Sequence, residues 1–206
     1  MFVKICGITH RADAVAAVDA GADAIGINFV RTSRRCVGVE VARAIVAVVP
    51  DQVMTVGIFR DHAAGEILEI TRSLGLTAAQ LHGDEPPQFT AAVSDGVETV
   101  IKAVTAGSPS LLSVDEHAAD IVMLDAPDPG DGIPFDWDLV GDLVAKYKIL
   151  LAGGLRPDNV AEAVDRVRPW GVDVASGVEA EPGQKDPDAI AHFVAQARAA
   201  ESPTNS

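Results

Sequence analysis

Short apolar runs and amphipathic stretches alternate along this chain from its first residues almost to its last. The apolar runs begin with Val3-Lys4-Ile5-Cys6 and recur at residues 24–29, 53–59, 76–81, 99–104, 120–125, 148–152 and 172–175. Each is nearly continuous rather than alternating, as the strands of a parallel sheet covered on both faces must be. Between the runs, apolar residues return at helical spacing: Val15 and Val18; Val41, Ile45 and Val48; Ile67, Ile70 and Leu74. Further on the same spacing joins Leu139, Val140, Leu143 and Val144, then Val160, Val164 and Val167, and finally Ile190, Phe193, Val194 and Ala197. The segment around Leu111 and Leu112 fills the remaining helical place.

Local punctuation supports this division. Thr9 reads as an N-cap, Gly21 and Gly75 as helix stops, and Pro50 as the end of the second helix. Pro86-Pro87, Pro157 and Pro187 suit the first turns of the helices that follow them. The result is eight strand-helix units of about twenty-five residues each, which predicts a single-domain (β/α)8 TIM barrel of small size. The barrel is expected over residues 1–200, with 201–206 a disordered tail. A doubly wound open sheet is the rival, but no Gly-x-Gly-x-x-Gly turn follows the first strand.

Composition narrows the function classes. A formal net charge of −14 over 206 residues opposes nucleic-acid binding, and no apolar run is long enough to span a bilayer. No signal-peptide pattern opens the chain, so the expected address is cytoplasmic. The two cysteines, Cys6 and Cys36, are too few for a disulfide framework, and neither they nor the five histidines show metal-ligand spacing. No metal is predicted. An anionic ligand would need local devices, such as backbone N–H groups at a helix start or one placed arginine, because the global field opposes it.

In a barrel of this kind the carboxyl ends of the strands converge on one mouth. That places Cys6, the Arg34-Arg35 loop, His82, Asp125, Gly153-Gly154 and Ser176-Gly177 together. The glycine turns after strands seven and eight lie where such barrels bind phosphate, although either could be only a tight turn. Arg35 is the candidate for a second anionic group, because a guanidinium fork matches a carboxylate; Arg34 beside it is the alternative. Asp125 ends an apolar strand, where a carboxyl can act as a general acid, and Cys6 lies three strands away around the barrel. Taken alone, Cys6 reads equally well as a buried structural thiol. His82 is a candidate for substrate contact or for support of a neighbour, and Lys185 reads as a surface charge.

These motifs together resemble the phosphoribosylanthranilate isomerase family of tryptophan biosynthesis. The resemblance runs through Lys4-Ile5-Cys6-Gly7-Ile8-Thr9, Gln80-Leu81-His82-Gly83, Phe135-Asp136-Trp137, Gly153-Gly154-Leu155 and Asn159-Val160. It continues through Asp173-Val174-Ala175-Ser176-Gly177-Val178-Glu179, within which Asp173 is a further substrate-binding position. The resemblance implies a barrel fold and an Amadori rearrangement of N-(5-phosphoribosyl)anthranilate to 1-(o-carboxyphenylamino)-1-deoxyribulose 5-phosphate, without a cofactor. It implies Cys6 as general base, Asp125 as general acid, Arg35 on the anthranilate carboxylate, and Gly153-Gly154 with Ser176-Gly177 on the phosphate. The partner would be a small phosphorylated molecule, with neither nucleic acid nor membrane, and the chain a monomer or homodimer. Two features depart from the pattern or add to it. Asp131 stands in a short loop where the family commonly carries serine or threonine. Cys36 follows Arg35 directly, close enough in sequence to the site for an oxidative disulfide with Cys6. Rival readings are a related or dual-substrate isomerase of histidine biosynthesis, whose aspartate pair does not match Cys6, and a non-catalytic phosphate-binding barrel.

Overall fold

In a computed structural model, which describes residues 1–126, 137, 140–141 and 143–201, the chain closes into a parallel barrel of eight strands in sequence order. The strands are β1 (Phe2–Ile5), β2 (Ala24–Asn28), β3 (Met54–Phe59), β4 (Ala78–Leu81), β5 (Thr99–Thr105), β6 (Ile121–Asp125), β7 (Ile149–Leu151) and β8 (Gly171–Val174). Closure comes from β1 pairing with both β2 and β8, with Lys4 opposite Asp173 and Ile5 opposite Val174 in the second ladder. Outside the barrel lie α1 (Arg11–Asp19), α2 (Val39–Val46), α3 (Ala64–Leu74), α4 (Pro87–Ser94), α5 (Leu143–Lys146), α6 (Val160–Val167) and α7 (Pro187–Glu201). A two-stranded ribbon, β9 (Glu179–Glu181) with β10 (Gln184–Lys185), sits between β8 and α7.

Two apolar layers hold this arrangement. The barrel interior is filled by small and medium side chains, among them Ala24, Val56, Ala78, Ile101, Met123 and Leu150. The outward faces of the strands carry residues such as Val3, Ile25, Val100, Leu124 and Val172, which pack against the helices with Ile45, Ile67, Val164 and Phe193. Because side chains alternate along a strand, β4 directs Ala78, Gln80 and then His82 to the same side, and β6 does the same with Ile121, Met123 and Asp125. The last residue of each inward row therefore arrives at the mouth.

The structure corrects several local expectations. Thr9 is not an N-cap: α1 is capped by His10 without a side-chain bond, and the Thr9 hydroxyl instead donates to the Gly183 carbonyl. Val15 and Val41 are the exposed large apolar residues among those described, while Asp13, Ala14 and Ala17 bury the inner face of α1. Small residues line that inner face, while Val15 turns outward and Val18 packs against the core only partly buried. The place around Leu111 is a 3-10 segment, Pro109–Glu116, rather than an α-helix. Pro157 falls in the turn before α6, which starts at Val160, and Glu201 belongs to α7 rather than to a tail. Residues 127–132 with Asp131, together with Phe135, Asp136, Leu139 and 202–206, lie outside the described residues. The expected faces of α6 and α7 are those observed, with Val160, Val164 and Val167 buried in one and Ile190, Phe193, Val194 and Ala197 in the other.

Candidate active site

A cavity of about 670 Å³ opens at the carboxyl ends of the strands. Its wall includes the predicted Cys6, Arg35, His82 and Asp125, together with Gly153, Gly154, Asp173 and Ser176. Gly177 is the one predicted residue outside that wall. It packs against the turn after β7, where an added Cβ would come within 2.0 Å of the Leu155 carbonyl oxygen, so nothing larger than glycine fits. The paired turn is equally constrained. Gly153 and Gly154 both have positive φ (79° and 71°), and a Cβ on Gly153 would lie 2.5 Å from the Ala126 backbone nitrogen.

Cys6 follows β1 directly, its backbone N–H bonded to the Val174 carbonyl. The side chain touches the cavity but is otherwise packed among protein atoms, and this burial pushes the thiol above its ordinary value. Lys4 and Lys185 pull it back down, Lys4 by both charge and hydrogen bond, while Asp173 adds to the upward push. Lys4 is wholly buried, with its Nζ 2.8 Å from Asp173 Oδ1. Burial alone would lower its value, yet Asp173 and Cys6 outweigh that and hold the ammonium above the ordinary lysine range. Asp173 thus faces the cavity while committing one oxygen to Lys4. Cys6 and Cys36 are both free thiols, Cys36 exposed on the loop after β2.

On that loop both arginines line the cavity, Arg34 exposed and Arg35 half-buried. The Arg35 stem lies across Gly7, whose φ of 72° and missing side chain leave the necessary space. The guanidinium does not wait unpaired for an anion. Nε and Nη2 donate to both oxygens of Glu179, at 2.6 and 2.8 Å. Lys185 completes the cluster, and it is no surface charge: it is 3 % exposed and its Nζ donates to Glu179 Oε1 at 3.0 Å and to the Ala175 carbonyl. Burial lowers the Lys185 value more than Glu179 restores it.

Glu179 gives this cluster a pH signature. Burial pushes its carboxyl up, but hydrogen bonds from Arg35 and the charge and bond of Lys185 outweigh that and leave it below the ordinary carboxylate value. A carboxyl depressed in the folded state stabilises the fold above its unfolded value of about 4.3, and that stability is lost as pH falls through the folded value. Glu179→Gln should therefore melt below wild type near pH 7, and the gap should close as melts are repeated toward about pH 3. A gap independent of pH would show that the charge is not what matters.

The surroundings of Asp125 are more polar than its strand implies. Its Oδ1 accepts the Ala126 backbone N–H at 2.8 Å, and Oδ2 lies 3.2 Å from His82 Nε2. On the other side of the ring, His82 Nδ1 is 2.9 Å from Gln80 Nε2. Next to this row, buried Lys102 holds the loop after β4 by bonding Glu85 at 2.6 Å and the Gly83 carbonyl, while Glu85 accepts the Gly83 N–H. Gln80, Lys102, Glu179 and Lys185 were not predicted as site residues. A signal existed for the first two, each a lone polar residue inside an apolar strand run.

Among the described residues no cluster of His, Cys, Asp and Glu is arranged to hold a metal ion, and no helix is long and apolar enough to cross a membrane. A closed parallel barrel whose mouth gathers a thiol, a carboxyl, a histidine and glycine turns has the architecture of a TIM-barrel enzyme. The chain belongs to the N-(5'-phosphoribosyl)anthranilate (PRA) isomerase family, whose model matches residues 3–196. It is 44 % identical to N-(5'-phosphoribosyl)anthranilate isomerase of Pelobacter propionicus over 197 residues, covering 93 % of each chain. The crystal structure of phosphoribosyl anthranilate isomerase from Thermotoga maritima superposes with a TM-score of 0.90 at 39 % identity, over 97 % of this chain and 99 % of that one. A second solved member, in complex with reduced 1-(o-carboxyphenylamino)-1-deoxyribulose 5-phosphate, matches with a TM-score of 0.87 at 38 % identity and the same coverage.

Proposed function

We propose that this chain catalyses the Amadori rearrangement of N-(5-phosphoribosyl)anthranilate to 1-(o-carboxyphenylamino)-1-deoxyribulose 5-phosphate. Asp125 acts as general acid and Cys6 as general base. The observation that carries this reading is that both side chains line one cavity, together with the candidate anion anchors Arg35 and Gly153-Gly154.

The chemistry requires one proton given and one taken, with no change in composition. Asp125 protonates the furanose ring oxygen; the C1–O bond breaks, and the anilino nitrogen forms a Schiff base with C1. Cys6, as thiolate, then removes the proton on C2, and the electron pair moves to neutralise the iminium as an enolamine. Tautomerisation moves a proton from the C2 hydroxyl to C1 and leaves the ketone. A thiolate with a raised value is scarcer at neutral pH but a stronger base, which suits abstraction from carbon. The Gly153-Gly154 turn, with Ser176-Gly177 beside it, supports phosphate by presenting backbone near the mouth. Arg35 supports the anthranilate carboxylate, and Glu179 holds its fork in place until that carboxylate arrives. Fixing both ends of the substrate places the sugar between acid and base. Asp173 and His82 border the same space.

Incubating purified protein with phosphoribosylanthranilate should extinguish the substrate's fluorescence and yield a product of identical mass and different retention. Recovery of unchanged substrate would overturn the proposal and leave a binding barrel as the better reading.

A further inference from the structure

The row Met123, Gln80, His82, Asp125 crosses the mouth from β6 to β4 and back, and it determines where protons can sit. The Gln80 amide nitrogen has two hydrogens, and two acceptors stand within reach: His82 Nδ1 at 2.9 Å and the Met123 sulfur at 3.4 Å. The amide oxygen is buried without a partner. Turning the amide over would let its oxygen accept from an Nδ1–H, but it would also aim that oxygen at a thioether that carries no hydrogen and leave both N–H groups where the unpartnered oxygen now lies, two stranded donors in place of one stranded acceptor. The sulfur thus orients the amide, and the amide, by donating, keeps His82 Nδ1 bare. In the neutral ring the hydrogen is then on Nε2, which faces Asp125 Oδ2 at 3.2 Å.

We propose that Gln80 is a positioning residue that locks His82 in the Nε2–H form, so that the acidic proton of Asp125 points into the cavity rather than at the imidazole. This rests on the isomerase reading, in which Asp125 is the acid. With a hydrogen on Nε2, His82 can only donate to Asp125 Oδ2. The carboxyl keeps its remaining lone pair, and with it the transferable proton, for the substrate. With the hydrogen on Nδ1 instead, bare Nε2 would accept the proton of Asp125 and turn the acid away from the ring oxygen. Ala126 N–H holds the other carboxyl oxygen, so the two donors together fix the plane of the group.

Histidine-labelled protein, without ligand, gives the direct readout through the 15N shifts of the ring nitrogens, with His82→Asn used to assign the signal among the five histidines. Wild type should show a bare Nδ1 and a protonated Nε2. Gln80→Glu should protonate Nδ1, because a carboxylate there accepts a hydrogen instead of donating one. Its kcat should fall by about 10–100-fold with KM within about twofold, and the isosteric Gln80→Glu should be slower than Gln80→Met, which leaves the tautomer unspecified. A merely structural role predicts the reverse order, since glutamate keeps the shape of glutamine. A protonated Nδ1 in wild type, or Gln80→Glu no slower than Gln80→Met, would overturn the proposal. The shifts are read without substrate, so the tautomer is judged even if wild type fails to isomerise phosphoribosylanthranilate, a result that would count against the isomerase reading alone.

Discussion

Asp125→Asn should lower kcat by about 10²–10⁴-fold, or about 3–5 kcal/mol of barrier, with the fold intact. The change removes one transferable proton and almost no volume. Asparagine can still accept the Ala126 N–H through its oxygen, and the side chain, 11 % exposed at the cavity, leaves no hole in the apolar layers. Only the reaction that needs a proton donor should suffer. Steady-state kinetics on phosphoribosylanthranilate, with melting curves for both proteins, separate these effects. A loss expressed mainly in KM would mean that Asp125 binds substrate rather than protonating it.

Cys6→Ala is the second large effect, with kcat again expected to fall about 10²–10⁴-fold because it removes the thiolate that takes the C2 proton. The pH profile distinguishes this loss from that at Asp125. Burial raises the wild-type thiol above its ordinary value against the pull of Lys4 and Lys185. The thiolate fraction, and with it kcat/KM, should therefore keep climbing as pH passes the ordinary thiol value of about 8.5. In Cys6→Ala that alkaline rise should vanish. A variant retaining the rise would assign the titration to another group, of which Lys185, lowered by its burial and close to Cys6, is the first to test.

Much of the barrel was legible because its physics is periodic. Strands buried on both faces leave near-continuous apolar runs, and the faces of α3, α6 and α7 follow from 3.6-residue spacing. The errors came where packing rather than pattern decides. On α1 and α2 the fully buried positions include Ala14, Ala17 and Ala42, while Val15 and Val41, which a hydrophobicity count places inside, end outside. Thr9 looks like a cap until the β9–β10 ribbon, distant in sequence, offers the Gly183 carbonyl to its hydroxyl.

The site divides in the same way. Residues ending a strand, such as Cys6, His82 and Asp125, could be located from sequence because the barrel sends every strand end to one mouth. The partners that reach the site through a distant segment could not. Lys185 and Glu179 meet Arg35 only through the ribbon after β8, and neither stands out in an acidic, polar stretch. Lys4, Gln80, Lys102 and Asp173 did carry a signal, a single polar residue within an apolar strand, since burying a polar group there is costly without a partner. Lys4 and Asp173 show how it is met, as register neighbours on β1 and β8.

One fluorescence assay compares wild type, Cys6→Ala and Asp125→Asn on phosphoribosylanthranilate at equal concentration. Wild type should consume the substrate while both folded variants remain at the uncatalysed rate or within a small fraction of wild-type turnover. Near-equal turnover by all three would contradict the assignment of acid and base to these two residues.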